Sequence, residues 1–316
     1  MPAPDLPTQV RPADDAGIAE AARLIRAGQP VAVPTETVYG LAADATSGEA
    51  VARIYEAKGR PSFNPLIVHV TGIDQAERIA RFDPAARALA QRYWPGPLTL
   101  VLPLREEAGI ASIVTAGLTT VALRASAHPA MQALIAAAGR PLAAPSANAS
   151  GRISPTRAAH VLDSLKGRVP LILDGGQTAH GLESTIVAVA DGEVRLLRPG
   201  PISAEELGAV AAPTPERIVA PGQLASHYAP AKPLRLNVTE AAPDEWLIGF
   251  GDIAGDVSLS RSADLVEAAA ALFDLLHDAD RQPAARIAVA PIPEDGLGAA
   301  INDRLRRAAA PRPEKS

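Results

Sequence analysis

A chain of 316 residues, 47% hydrophobic, has room for two domains and a full core; aromatics are only 3%, so that core must be aliphatic. Zero Cys excludes disulfides, thiolate metal sites and a thiol nucleophile, and the six His occur singly, without the H-x-x-x-H pair of a zinc site. A net charge of -5 runs against a protein whose main task is gripping nucleic acid, because neutralising phosphates takes an excess of Lys and Arg.

The first 13 residues read as a loose tail without the basic and apolar regions of a leader. No stretch approaches the roughly 20 apolar residues of a membrane helix, so the cytoplasm is the expected location. From Asp14 an amphipathic helix is expected, with Ile18, Ala22 and Ile25 on one face and an end near Gly28. PVAVP follows as a buried strand. Thr46-x-x-Glu49 has the pattern of a capping box, opening a helix in which Val51, Ile54, Tyr55 and Lys58 share a face. Strands are expected at 65–70, 98–103, 120–125, from 141 and at 171–176, with helices at 83–94, 128–139 and 156–165. The stretch from Ser184 to Gly200 reads as a hairpin turning at Asp191-Gly192, and a short helix near 203–211 closes the region. Strands and helices interleave without the rhythm of a barrel, which predicts a mixed α/β sheet over 14–210. Residues 211–233 are Pro-rich and read as a stiff, ordered linker. Residues 234–316 alternate strand, helix, strand and helix, the order of a small doubly wound domain.

The common nucleotide motifs fail. No Gly-Lys pair exists for a P-loop, and no G-x-S-x-G elbow for a serine hydrolase. Gly249, Gly251 and Gly255 follow a strand, but their spacing is one residue too long for a dinucleotide fingerprint, and they read better as a turn. What remains is polar residues at strand ends. PTETVYG at 34–40 brings two Thr and a Glu. Lys58 at a helix C-terminus reads equally as a dipole-compensating charge, whereas Gly59 and Pro61 fix the backbone of Arg60 and aim a forked guanidinium suited to phosphate. Asn64 follows, and His69 alternates with apolar neighbours as a core histidine does. Arg124, within aliphatics, requires an anionic partner, either structural or a ligand. PSANASGRISPT at 145–156 concentrates hydroxyls and small residues before a helix, as phosphate-cradling loops do and as ordinary loops also do. Glu183-Ser184-Thr185 and Arg198-Pro-Gly-Pro complete the set. Together they describe a cleft of cations, hydroxyls and small loops, with few carboxylates, suited to a polyanion carrying phosphates.

PTETVYGLA, EAKGRP-x-x-NPLIVHV, WPGPLTLVL, TVALR, APSANASG-x-x-SPT, DGG, ESTIV and LRPGP stand in the order and spacing of the threonylcarbamoyl-AMP synthases. The resemblance covers 14–210 without a gap, and PGQLASHYAP resembles the linker of the longer, two-domain form. It implies an α/β YrdC-like open mixed sheet with a concave cavity, plus a small Rossmann-like C-terminal domain. Carried over residue by residue, Thr37, His69, Arg124, the backbone at Ala144, and Ser184 fall where the family holds L-threonine. Arg60, Asn64, Thr120, Ser146, Ser154 and Arg198 fall where it holds ATP, and Tyr228 corresponds to a linker residue folding back over the nucleotide. Lys58 and Arg60 form the family's basic pair beside the phosphates. Many relatives carry a basic residue before the linker His, where this chain has Ser226.

The activity implied is the joining of L-threonine and bicarbonate to a carbamate, whose carboxylate attacks the α-phosphorus of ATP and expels pyrophosphate. Such chemistry asks for positioning and charge neutralisation rather than a protein nucleophile, in keeping with a chain lacking Cys. Mg²⁺ is expected with ATP, held mostly by phosphate oxygens and water rather than by a metal site of the protein. Contact with the downstream tRNA threonylcarbamoyltransferase machinery is expected, with little direct tRNA binding. Two rivals are an RNA-binding module, disfavoured by the net charge, and the carbamoyltransferase of hydrogenase maturation, whose zinc fingers find no Cys here.

Overall fold

Backbone pairing, more than apolar patterning, accounts for the first strand. The computed structural model describes residues 7–61, 64–211, 220 and 226–311. Strand β1 (Gln9–Pro12) is exposed along its whole length and pairs in parallel with residues 171–174, so part of the expected loose tail is sheet. Helix α1 (Asp15–Arg26) is capped by Asp14, whose carboxylate accepts the Gly17 N–H at 2.8 Å, and it buries Ile18, Ala21, Ala22 and Ile25. Strand β2 (Val31–Val33) pairs antiparallel with β3 (Gly40–Asp44), and every residue of both is buried. Helix α2 (Gly48–Lys58) is capped by Ser47, which accepts the Ala50 N–H at 3.2 Å. The capping box expected at Thr46 does not form, because the Thr46 hydroxyl donates to Asp44 at 2.6 Å instead. Gly59 closes α2 with a φ of 59°, the left-handed value that a residue with a Cβ adopts at a cost.

Strand β4 (Ile67–His69) is followed by α3 (Ile73–Ile79), which sequence reading did not anticipate, and by α4 (Pro84–Tyr93), capped by Asp83. Next come β5 (Leu98–Pro103), a single turn α5 (Ser112–Thr115), β6 (Thr120–Arg124) and α6 (Pro129–Ala138). Strand β7 (Leu142–Ala143) is only two residues, α7 (Ala158–Leu165) follows the Ser-rich loop, and β8 (Leu171–Asp174) is the partner of β1. The hairpin of β9 (Thr185–Ala190) and β10 (Glu193–Arg198) turns where Asp191 and Gly192 both have positive φ, 53° and 78°, as a two-residue turn of that twist requires. A four-residue α8 (Ala204–Leu207) carries a complete capping box from Ser203 and Glu206, and leads to β11 (Val210–Ala211).

These strands form one mixed sheet in the order β1-β8-β2-β3-β7-β4-β6-β5-β9-β10-β11. Alternate residues of its central strands feed two different cores. Val31, Val33 and Ala42 join Ile25, Met131 and Leu134 of α1 and α6, whereas Ala32, Leu41 and Ala43 join Val51, Ile54 and Leu123. The sheet is therefore covered on both faces, and β2 and β3 read as continuous apolar runs.

Strands β12 (Leu234–Arg235), β13 (Glu245–Gly249), β14 (Val257–Ser258) and β15 (Arg286–Val289) form a second sheet, with α9 (Leu265–Arg281) and α10 (Leu297–Ala309). Its order is β12-β15-β13-β14, and every pair is parallel. The glycines after β13 form a tight turn, since a Cβ on Gly249 would lie 2.3 Å from the Ile253 carbonyl oxygen. One apolar cluster spans both sheets, joining Val38, Ile153, Leu182 and Tyr228 to Leu272, Phe273 and Leu276 of α9. Most of the expected linker lies outside the described residues. Its end is tied down: Ala229 N–H donates to Gly151 at 2.8 Å, and His227 N–H to Arg307 at 3.1 Å. Among the described residues no helix is long and apolar enough to cross a membrane.

Candidate active site

A cavity opens where β4 and β6 end, bounded by the turn after β2, the loop after β7, the entry to β9 and the end of β10. Parallel pairing sets His69 of β4 directly beside Arg124 of β6, so two polar residues of apolar strands emerge side by side at one edge. Thr37, His69, Arg124, Ala144, Ser146, Ser184, Arg60 and Arg198 all line the cavity, together with Thr35, Val38, Glu183 and His227.

Arg124 has its partner within the chain. Its guanidinium meets Glu36 at 2.7 Å and donates to the Thr37 hydroxyl at 2.8 Å, with both charged groups almost wholly buried. Burial pushes the Glu36 carboxyl up, but Arg124 and a hydrogen bond from Ser126 outweigh it and hold the group down at about 2. His69, also buried, is held neutral by burial and by the Arg124 charge, with its pKa driven down to about 3. Ala144 contributes its backbone to the wall, although its N–H is already engaged by the Ile67 carbonyl at 2.9 Å.

On the other side stand the cations. Arg60 follows the left-handed Gly59, its N–H bonded back to Tyr55 at 2.9 Å, and its side chain reaches the Pro65 carbonyl at 3.2 Å. Burial lowers its pKa to about 10. Arg198 donates to the Ser184 carbonyl from two nitrogens, at 3.1 and 2.8 Å, which ties the end of β10 to the start of β9. Lys58 is fully buried behind the wall and donates to the carbonyls of Ser146, at 2.6 Å, and Asn148. It is thus no surface charge compensating a helix dipole; it organises the Ser-rich loop. Burial and the neighbouring Arg60 push its pKa well below the ordinary lysine value.

Four more expected residues lie outside the lining. Asn64 is buried, and Ser154 donates its hydroxyl to Glu183. Tyr228, with a positive φ of 65°, packs against Phe273 and under the Arg304 guanidinium, and among the described linker residues His227 is the one on the cavity lining. Thr120 begins β6, at the opposite end from Arg124, half-buried and outside this lining.

Sequence reading under-counted the carboxylates: Glu36 and Glu183 both stand in or directly behind the wall, each matched to an arginine. It noted both residues without assigning them a place. His227 and Arg304 it missed. His227 is held neutral by burial and by Arg60, Lys58, Arg198 and Arg304, whose combined charge bears on one ring. Several buried polar atoms have no hydrogen-bond partner among the described residues: Arg60 Nε, His69 Nδ1 and His227 Nδ1 on the lining, and both side-chain polar atoms of Asn64 and the Tyr228 hydroxyl beside it.

Fold and cavity together define a class, mixed α/β proteins with a buried, cation-rich pocket for a small polar ligand. A family model described as telomere recombination, the Sua5/YciO/YrdC model, matches residues 23–200, and one described as threonylcarbamoyl-AMP synthase, C-terminal domain, matches 202–310. The threonylcarbamoyl-AMP synthase of Bacillus subtilis is 43% identical over 94% of this chain and 94% of its own length; that of Pyrococcus abyssi is 40% identical over 91% and 92%. A crystal structure of P. abyssi Sua5 complexed with L-threonine superposes with a TM-score of 0.86 at 38% identity, covering 96% of this chain and 97% of that one. The chain belongs to the threonylcarbamoyl-AMP synthase family and is an enzyme of that kind.

Proposed function

We infer that the protein makes L-threonylcarbamoyladenylate from L-threonine, bicarbonate and ATP with release of pyrophosphate, the first step of threonylcarbamoyladenosine formation in tRNA. One observation carries the reading: buried, unpartnered polar atoms in and beside the cavity wall. Each such atom costs about 1–3 kcal/mol unless a ligand satisfies it; Arg60, His69 and His227 supply them on the lining, and Asn64 beside it. Buried cations whose pKa values are lowered gain most from an anion, which relieves both desolvation and mutual repulsion.

The residues divide by side. Thr37, His69, Arg124, Ser184 and the Ala144 backbone form the subsite for L-threonine, with the Arg124 fork, steadied by Glu36, facing the amino-acid carboxylate. A neutral His69 leaves the threonine amine without a competing positive charge. Of the basic pair, Arg60 contacts the phosphates as the catalytic residue, and Lys58, behind the wall, positions the Ser-rich loop for it. Asn64, Thr120, Ser146, Ser154, Arg198 and Tyr228 complete the surroundings of ATP. The amine adds to bicarbonate with loss of water; the carbamate carboxylate then attacks the α-phosphorus and the bond to pyrophosphate breaks. Positioning and charge neutralisation supply the acceleration. Mg²⁺ would enter with the triphosphate and offset its charge; Glu36 and Glu183, the nearby carboxylates, already face arginines and would leave it to the nucleotide. The setting is the cytoplasm, with the product passed to a tRNA threonylcarbamoyltransferase and little direct grip on tRNA.

Pyrophosphate release from ATP tests the reading. It should require L-threonine and bicarbonate together; equal turnover with either one omitted would sink the assignment.

A further inference from the structure

Arg304 lies on α10, in the unit of the second sheet, yet it is fully buried against the first. Three of its hydrogen bonds go to the two chain segments that close one side of the cavity, and a fourth stays on α10. Nε donates to the Glu183 carboxylate at 2.9 Å and one terminal nitrogen reaches the Glu183 carbonyl at 3.4 Å. The other donates to the Pro199 carbonyl at 2.7 Å and to Asp303 at 3.0 Å. Glu183 immediately precedes Ser184, and Pro199 immediately follows Arg198, both of the cavity wall. The second oxygen of Glu183 accepts the Ser154 hydroxyl, and the guanidinium lies 5.5 Å from the centre of the Tyr228 ring.

We propose that Arg304 is a positioning residue for the pocket: a single fork from α10 fixes Glu183 and Pro199 so that Ser184 stands in register on the threonine side and Arg198 and Ser154 on the nucleotide side. Planarity is essential. Three separate acceptors at fixed angles are met by a rigid guanidinium, and an ammonium on a flexible stem meets at most part of that set. The alternative is that Arg304 merely glues the two sheets together. Other contacts cross the same boundary without approaching the cavity, such as Arg157 with Asp274 at 2.6 Å and Arg281 with Asp163. They provide the control.

The proposal rests on the function inferred above where kinetics are read, and it is read independently by amide exchange. In the full-length chain, Arg304→Lys should remain folded and exchange backbone amides at least fivefold faster over 183–200, while α1 and α6 keep wild-type rates. Under saturating L-threonine and bicarbonate it should lower kcat for pyrophosphate release at least tenfold, and the double variant with Glu183→Gln should be no worse than the poorer single variant. Arg281→Met, which breaks a contact between the sheets away from the cavity, should leave exchange over 183–200 and turnover at wild-type values. Unchanged exchange over 183–200 in Arg304→Lys overturns the proposal, as do equal losses in Arg304→Lys and Arg281→Met. Should Arg304→Lys not fold, Glu183→Gln carries the same test, and wild-type exchange and kcat in that variant overturn it. A wild-type chain that releases no pyrophosphate refutes the function and leaves the exchange result to decide the role of Arg304.

Discussion

Arg124 stands on Glu36 and Thr37 at once, so its removal has two separable effects. Arg124→Ala strands a buried carboxylate, and breaking a buried pair costs on the order of 3–5 kcal/mol, visible as a lower melting temperature. It should also raise the KM for L-threonine at least tenfold in the pyrophosphate assay. Arg60 differs: burial is the largest influence on its pKa, and among the described residues no carboxylate forms an ion pair with it. Arg60→Ala should therefore spare stability and weaken use of ATP, again at least tenfold. Wild-type kinetics in both variants would refute the residue map while leaving the family intact. At this scale the sequence was informative about chemistry and weak about partners. An arginine among aliphatics demanded an anion, but nothing in TVALR names Glu36, eighty-odd positions away.

Elements carry the site by how closely their backbones approach. A Cβ on Gly200 would lie 2.4 Å from the Thr185 nitrogen and 2.8 Å from the Glu183 carbonyl, so only glycine lets the chain leaving β10 pass against the entry to β9. Gly200→Ala should cost about 1–3 kcal/mol through overpacking and should depress turnover, as thermal melts and the pyrophosphate assay will show; unaltered values for both would mean the segment tolerates displacement. The long elements were legible because an apolar period betrays a helix or strand that buries one face. Strand β1 was not, since it is exposed throughout and owes its place to pairing with β8. Strand β3 was hidden for the opposite reason: both its faces are buried, so GLAAD has no alternation. The Ser47 cap lost out to Thr46 in sequence because the choice depends on which hydroxyl Asp44 captures.

The whole molecule is held by contacts between its two sheets, and some of these are acid-sensitive. His160 of α7 and His277 of α9 stack with ring centres 3.9 Å apart, beside Asp274, Arg157 and Arg281, with His277 also facing Asp280 and the Ser154 carbonyl. Burial, then the neighbouring imidazole, drives the pKa of His160 down to about 3; burial likewise brings His277 to about 4. The unfolded chain thus binds protons that the folded one refuses, so stability is complete above roughly pH 6.5 and falls with acidification, by up to about 1.4 kcal/mol per pH unit for each such group. Melting temperature should drop steadily from pH 7 to pH 5, and His277→Gln should flatten the slope; an unchanged slope would show that this pair is not the sensor. Deleting residues 212–316 takes away His227 and Arg304 together and should reduce pyrophosphate release more than tenfold, whereas undiminished rates would confine the second sheet to another task. Local spacing could forecast two sheets, but the ties between them join positions more than a hundred residues apart, and no periodicity records such pairs.

Glu183 and Pro199 belong to the stretch matched by one family model or its border, and Arg304 to the stretch matched by the other. The seam between the two therefore runs through the wall of the pocket and not beside it. Anyone grafting the second unit of a relative onto this chain would be transplanting part of a binding site. Such chimeras should work only when the donor brings its own arginine at the matching turn of the last helix, together with a carboxylate in the recipient to receive it.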